Sequence, residues 1–312
     1  MIEDNSLRGR DLLSLRDFTG EEIKVILDLA ADLKDKQKNN LSHQYLKGKT
    51  LGMIFQKAST RTRVSFEAAM YHLGGYPLFL SAADLQLGRG ESIPDTARVL
   101  SGYLDGIMIR TFAQKDVEEL AKYADIPVLN GLTDLLHPCQ ILADLLTIRE
   151  YWGGLKGLKL AYVGDGNNIC HSLLFGCAKT GIHMRAACPE GYAPNPEITR
   201  LATEDARLSG GSIQVTANPV EAVTGAEIII TDVWASMGKE DEQSSRNKVF
   251  PPYQVNGKLT AHAAKDYIFL HCLPAHRGEE VTGEIIDGPH SVVWNEAENR
   301  LHTQKAALAL LL

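Results

Sequence analysis

Three hydroxyl and two guanidinium side chains are concentrated in residues 59–63 (STRTR), between an apolar run and a segment, 64–72, that is typical of a helix. The unpaired N–H groups at a helix start, together with the positive end of the helix dipole, attract anions. These residues therefore indicate a phosphate site. An ordinary interpretation is also open: Ser59 caps the helix and both arginines are solvated.

Further polar side chains stand where predicted strands end. Arg110 follows a buried strand, and His137 and Gln140 lie on either side of the first turn of a helix that Pro138 opens. In open α/β sheets, ligands bind beyond the carboxyl ends of the strands. We therefore expect Ser59, Arg110 and His137 to converge at one edge of a parallel sheet.

The second half of the chain carries a carboxylate and an amide in similar places. Asp232 ends an apolar strand and is followed by Ser236, an arrangement that suits a substrate ammonium group, although an aspartate here could also be a helix N-cap. Residues 164–169 (GDGNNI) lack the third glycine of a dinucleotide fingerprint, which disfavours a nicotinamide cofactor. Asn168, at the start of the next helix, is a better candidate for holding a carboxylate or an amine.

A cysteine and two histidines in residues 271–276 (HCLPAH) could be taken for a metal site. Structural zinc sites use several thiolates or histidines at fixed spacings, and no second cysteine has ligand spacing here. We expect neither a metal nor an organic cofactor.

The elements that position these residues alternate between apolar strands and helical patterns, which is typical of an α/β protein. Strands are predicted at 50–55, 77–80, 106–109, 127–129, 158–163, 182–187, 212–216, 227–231 and 268–270. The predicted architecture is two doubly wound parallel-sheet domains linked by helices, 1–150 and 151–295. A C-terminal helix, 296–312, is predicted to be capped by Asn295 and to return to the first domain.

The composition of the chain indicates which binding partners and which cellular compartment to expect. The 312 residues are 44% hydrophobic and 23% charged, and the formal net charge is −7, which argues against nucleic acid as the main partner. The five cysteines show no paired spacing, which favours reduced thiols and a cytoplasmic protein. No stretch approaches the roughly 20 apolar residues of a membrane span, so we expect no membrane association.

Four motifs in this order closely resemble the ornithine carbamoyltransferases: residues 59–63, 137–140 (HPCQ), 232–238 (DVWASMG) and 271–274 (HCLP). The likeness runs from about residue 7 to residue 312. It implies transfer of a carbamoyl group from carbamoyl phosphate to the side-chain amine of L-ornithine, giving L-citrulline and phosphate without a cofactor. It also implies an N-terminal carbamoyl-phosphate domain, a C-terminal ornithine domain, a homotrimer or a multiple of trimers, and a role in arginine biosynthesis.

The resemblance also assigns roles to residues. It implies a carbamoyl-phosphate site formed by Ser59, Thr60, Arg61, Thr62, Gln86, Arg110, His137, Gln140, Cys272, Leu273 and Arg300. It implies an ornithine site formed by Asn168, Asp232, Ser236 and Met237. The catalytic residues would be Arg61, Arg110, His137, Asp232 and Cys272. Gln86 would reach the phosphate site of a neighbouring subunit, and the Leu273–Pro274 bond would be cis.

Three alternatives remain. An aspartate carbamoyltransferase would need cationic side chains for a second carboxylate, where this chain has Asp232 and residues 236–238 (SMG). Carbamoyltransferases acting on putrescine or acylated ornithine differ only in a few pocket residues. A non-catalytic sensor of phosphate or amino acids could share the fold, since fold does not fix function.

Overall fold

The computed structural model of the chain describes residues 6–83, 85, 90–235 and 242–312. The chain forms two compact units, one of Met1–Leu146 with Glu298–Leu312 and one of Thr147–Ala297. Each unit contains one parallel sheet flanked by helices, which confirms the predicted α/β class. Within the described residues, no helix combines the length and the apolar character that crossing a bilayer requires.

The first unit has a sheet of four parallel strands. The strands are β1 (Thr50–Phe55), β2 (Tyr76–Ser81), β3 (Gly106–Arg110) and β4 (Val128–Leu132). Its helices are α1 (Gly20–Lys38), α2 (Thr60–His72), α3 (Ile93–Ser101), α4 (Gln114–Tyr123), most of α5 (Pro138–Trp152) and most of the last helix, α12 (Val293–Leu311). The strand order is β2-β1-β3-β4, so the direction of winding reverses between β1 and β3. Such a reversal opens a crevice at the strand ends, where ligands bind.

The second unit has five parallel strands, and it too winds in both directions from its first strand. The strands are β5 (Lys159–Val163), β6 (His183–Ala187), β7 (Ser212–Thr216), β8 (Ile228–Thr231) and β9 (Ile268–His271). The helices are α6 (Asn168–Thr180), α7 (Pro196–Ser209), α8 (Pro219–Val223), α9 (Gln243–Val249), α10 (Gly257–Thr260) and α11 (Gly283–Ile286). The order β7-β6-β5-β8-β9 places the reversal between β5 and β8.

The predicted strands are all present. The fully buried ones are apolar runs, as expected for central parallel strands, whereas β2 and β7 lie at sheet edges and are only partly buried. All five residues of β3 and all four of β8 are buried. Two helix starts were predicted too late. Helix α2 begins at Thr60, directly after its cap Ser59, so the arginines at 61 and 63 lie in its first turn.

Helix α12 also begins earlier than predicted, at Val293. The Glu296 N–H already donates to the Val292 carbonyl at 3.0 Å, so Asn295 lies inside the first turn and the prediction that it caps the helix is wrong. From Glu298 onward the helix belongs to the first unit, where Lys34 Nζ donates to Asn299 Oδ1 at 2.7 Å. The closing leucines are buried.

Candidate functional site

The first unit gathers cationic and amide side chains at the carboxyl ends of its strands. Ser59 follows β1, and its hydroxyl accepts the Thr62 N–H at 3.2 Å. Arg110 is the last residue of β3 and is buried, and His137 directly precedes α5. We call the following five residues the arginine–histidine cluster: Arg61, Arg110, His137, Gln140 and Arg300.

Arg300, from the C-terminal helix, connects two of the sequence motifs. Its Nη1 donates to Gln140 Oε1 at 2.7 Å and its Nη2 donates to Thr62 Oγ1 at 3.3 Å. The other end of the Gln140 amide donates to Asp144 Oδ1 at 2.9 Å. Because these side chains are buried, the bonds fix which end of the amide faces the guanidinium group.

His137 is a neutral imidazole at pH 7. Burial lowers its pKa well below the usual value of 6.5, and the positive charges of Arg300, Arg110 and Arg61 lower it further. A protonated imidazole would be repelled by these guanidinium groups and would lose its hydration. The cluster therefore combines concentrated positive charge with an uncharged nitrogen ring.

The two arginines of α2 point to different surroundings. Arg63 Nε pairs with Glu67 at 3.0 Å, and its guanidinium carbon lies 3.8 Å from the centre of the Phe79 ring. The positive charge of Arg61, in contrast, lowers the pKa of His137. The interpretation of Ser59 as a helix cap is therefore confirmed, and Arg63 is a surface residue, while the phosphate site at residues 59–63 stays a prediction.

In the second unit, a carboxylate that follows β8 and a thiol that follows β9 are hydrogen-bonded to each other. Asp232 follows β8; its Oδ2 accepts Asn167 Nδ2 at 2.7 Å and its Oδ1 accepts Cys272 Sγ at 3.1 Å. The described residues directly after Asp232, 233–235, are not helical, so within that stretch Asp232 is not a helix cap. We call Asn167, Asp232 and Cys272 the thiol–carboxylate cluster.

Asn167 was missed by the sequence analysis, which named its neighbour Asn168. Asn167 is the N-cap of α6, and its Oδ1 accepts the N–H groups of Ile169 and Cys170 at 3.0 and 3.2 Å. Asn168 is the first residue of the helix and is buried. An asparagine immediately before a helical pattern is a preferred cap, so this signal was present in the sequence.

Arg246 is a second supporting residue that the sequence analysis missed. Its buried guanidinium donates from Nη1 to the Trp234 carbonyl at 2.5 Å and pairs with Asp165 Oδ2 at 2.8 Å. It thereby ties the turn after β5 to the segment after β8. Glu242, four residues earlier, also pairs with Arg246 at 2.9 Å, but the two partners that make this connection are distant in sequence.

The turn after β9 has unusual backbone geometry. The Leu273–Pro274 bond is cis, as the resemblance implies, and Leu273 has a φ of 56°. This left-handed conformation is uncommon for a residue with a Cβ and costs of order 1–3 kcal/mol, so neighbouring bonds must hold it. Cys272 and Leu273 are half-buried.

Asp232, His271 and Cys272 have ligand atoms within 4.8 Å of one another. Both nitrogens of His271 are already committed, since Nδ1 accepts the Leu273 N–H at 2.9 Å and Nε2 lies 3.1 Å from Glu280 Oε1. A metal would have to displace one of these bonds, so the donor set does not favour one.

Three of the predicted residues, Gln86, Ser236 and Met237, lie outside the described part of the chain. Within it, Thr60 is exposed as the first residue of α2. The remaining predicted residues fall in one or the other of the two clusters or in the turns that carry them.

Two family models match the chain. The model described as the carbamoyl-P binding domain of aspartate/ornithine carbamoyltransferase covers residues 10–150, and the model of the Asp/Orn binding domain covers residues 156–311. These matches confirm the resemblance that the four motifs indicate.

Similar proteins support the same grouping. An ornithine carbamoyltransferase of Carboxydothermus hydrogenoformans is 64% identical over 98% of this chain and 99% of its own length. An anabolic ornithine carbamoyltransferase of Pyrococcus furiosus is 59% identical over 98% of each chain. The solved structure of ornithine carbamoyltransferase from Pyrococcus furiosus has a TM-score of 0.96 and covers 98% of both chains at 59% identity. With motifs, fold and overall sequence in agreement, the chain belongs to the aspartate/ornithine carbamoyltransferase family.

Proposed function

We propose that the protein is an ornithine carbamoyltransferase, which transfers the carbamoyl group of carbamoyl phosphate to the side-chain amine of L-ornithine and releases L-citrulline and phosphate. The observation that carries this proposal is a neutral, buried histidine beside three guanidinium groups. Such a set suits a substrate in which a phosphate adjoins a carbonyl. The 64% identity with an ornithine carbamoyltransferase supports ornithine as the acceptor.

The phosphate would be held at the start of α2. Backbone N–H groups there point out of the helix, and their dipole favours an anion. The side chains proposed to bind it are Ser59, Thr60, Arg61 and Thr62. Arg110, at the carboxyl end of β3, would bridge the phosphate and the carbonyl oxygen.

The carbonyl and amide of the donor would be held by His137, Gln140 and Arg300. A neutral imidazole can donate one N–H to the carbonyl oxygen. When the amine attacks, the C–N bond forms, the C–O bond to phosphate breaks, and the departing phosphate can take up the proton that the nitrogen loses. Negative charge therefore develops first on this oxygen and then on phosphate. Donors fixed beforehand by the Gln140–Arg300 bond stabilise that charge without rearranging.

Ornithine would be bound by Asn168, Asp232, Ser236 and Met237, with the Asp232 carboxylate facing an ammonium group. Asn167, which bonds to Asp232, would orient that carboxylate. Cys272 donates to the same carboxylate and would lie beside the reacting amine, and the backbone at Cys272 and Leu273 would bind the carbamoyl amide.

The reacting amine must be neutral to attack. With a lysine-like pKa near 10.4, only about one ornithine in a thousand has a neutral side-chain amine at pH 7.4. We propose that burial of the amine favours the neutral form and that the Cys272 thiol positions it. No covalent intermediate is needed.

Citrulline formation tests the proposal. Purified protein with carbamoyl phosphate is given ornithine, aspartate, putrescine or N-acetylornithine in parallel, and citrulline or the corresponding carbamoyl product is measured. We expect rapid turnover with ornithine and little with the others. Turnover with another acceptor alone would replace ornithine in the proposal, and no turnover with any acceptor would favour the non-catalytic sensor.

We further propose a cytoplasmic homotrimer or multiple of trimers that works in arginine biosynthesis, with Gln86 completing a neighbouring subunit's site. The name of the Pyrococcus furiosus relative, anabolic, supports the biosynthetic direction. Mixing refolded Gln86→Ala and Arg110→Ala subunits tests the shared site. We expect activity to reappear in the mixture, because some sites then contain both intact residues; a mixture as inactive as its parts would contradict a shared site.

A further inference from the structure

The turn after β9 holds a leucine in a conformation that leucine disfavours. Leu273 has a φ of 56°, and its N–H donates to Nδ1 of His271 at 2.9 Å. His271 is completely enclosed at the end of the strand. The ring therefore fixes the position of the Leu273 backbone relative to β9.

The bonds around His271 define where its proton lies. Nδ1 accepts an N–H and so carries no hydrogen. Nε2 faces Glu280 Oε1 at 3.1 Å, and a carboxylate oxygen can only accept, so Nε2 carries the hydrogen. Both ring nitrogens of His271 are thus engaged in hydrogen bonds, and neither is left to exchange a proton with a substrate.

Glu280 holds both ends of the turn. Its side chain is fully buried, and the oxygen that accepts from His271 also accepts the His276 N–H at 2.6 Å. Its own backbone is anchored as well, since its carbonyl accepts the Val255 N–H at 2.8 Å. A buried carboxylate without such donors would be costly, so these bonds keep Glu280 and the turn together.

We infer that Glu280 is a positioning residue for carbamoyl transfer: through His271 and the backbone of His276 it holds the turn that carries Cys272 and Leu273. The inference rests on the proposed function, in which Cys272 and Leu273 contact the substrates. Glu280 lies behind the turn and acts only through its neighbours. Loss of its carboxylate leaves the Leu273 conformation without its support.

Substitution tests the inference by separating kcat from KM. In Glu280→Leu we expect kcat to fall by on the order of 100-fold, as for a displaced reacting group, with both KM values within a few-fold of the wild-type values. Glu280→Gln keeps an acceptor oxygen for His271, and we expect it to recover most of kcat. Glu284→Leu, the same change at an exposed glutamate on α11, is the matched control and should leave kcat unchanged.

Wild-type kcat in Glu280→Leu, or equal losses in the Gln and Leu variants, would overturn the inference. Neutron diffraction of the wild-type protein keeps the test open even if Glu280→Leu does not fold. We expect deuterium on Nε2 of His271 and none on Nδ1. The opposite tautomer would refute the hydrogen bonds of His271 with Glu280 and Leu273 on which the inference rests. A wild-type protein that forms no citrulline would refute the proposed function, while the position of the deuterium would still test the hydrogen bonds around His271.

Discussion

Replacing Lys305 should change how the melting temperature of the protein depends on pH. Lys305 lies on α12 and is fully buried, and its hydrogen-bond partners are the Leu33 carbonyl, Gln37 Oε1 and His43 Nε2. None of these is a carboxylate. Burial lowers the pKa of Lys305 from 10.5 to about 8.

The sign and the size of the effect follow from that shift. In the unfolded chain the lysine binds its proton more tightly than in the folded protein, so its contribution to stability is complete above about pH 10.5 and is lost as the pH falls through 8. Over the whole range the loss is about 3 kcal/mol, and between pH 7.5 and 9.5 it is about 2 kcal/mol.

The assay compares melting temperatures of wild type and Lys305→Met at several pH values between 7.5 and 9.5. The melting temperature of the wild type should rise by about 4–8 °C relative to that of the variant over this range, because about 2 kcal/mol corresponds to that shift in a unit of roughly 150–250 residues, the size of the first unit. Groups common to both proteins cancel in the difference. Lys24→Met is the control, because the side chain of Lys24 is 63% exposed. Its melting temperature should change with pH as that of the wild type does.

Parallel curves for wild type and Lys305→Met would refute the reasoning. They would mean that Lys305 keeps an ordinary pKa in the folded protein, because a nearby negative charge or water stabilises its charged form. A wild-type curve that falls toward high pH relative to the variant would reverse the sign and exclude the burial argument altogether.

Three further predictions concern the site. Arg300→Met should raise the KM for carbamoyl phosphate by about 10- to 100-fold, because charged hydrogen bonds are lost. It should also raise the pKa of His137, so that the acid limb of the pH profile of kcat/KM moves to higher pH. An acid limb that does not move would contradict the effect of Arg300 on His137. Arg110→Ala should lower kcat far more than Arg98→Ala, at an exposed arginine, and equal turnover in a citrulline assay would remove Arg110 from the site. Cys272→Ala should lower kcat in the same assay, and activity equal to wild type at every pH from about 6 to 9 would deny the thiol a role.

Local patterns predicted most of the fold. Buried strands such as β3 and β8 are apolar up to their last residue, whereas β6 and β7 alternate polar with apolar residues. Thr19 with Glu22 forms a capping box at the start of α1. The prediction erred at two helix starts for different reasons: α2 opens with a polar turn that precedes its apolar pattern, whereas α12 opens with Val293 and Trp294, and Asn295 was taken for its cap. Polar residues of a first turn are ordinary helical residues, so they carry no periodic signal.

The supporting residues of the site were the ones that escaped prediction. Arg246 and Glu280 are charged residues that no local pattern singles out, and each acquires its role from a bond to a partner in another element or turn. Asp144 accepts from Gln140 one turn earlier on the same helix, and Asn167 has the local signature of a helix cap. The roles proposed for the site residues themselves remain predictions for the assays above.

The sequence alone determined the class of the protein. Alternating strands and helices fixed two doubly wound sheets, and four motifs at strand ends pointed to one family, because these properties are local in the chain. Only tertiary structure decided that Arg300 bonds to Gln140, that His137 is neutral and that Glu280 holds the turn at Leu273. Burial and the approach of distant charges set these properties, and neither exists until the chain has folded.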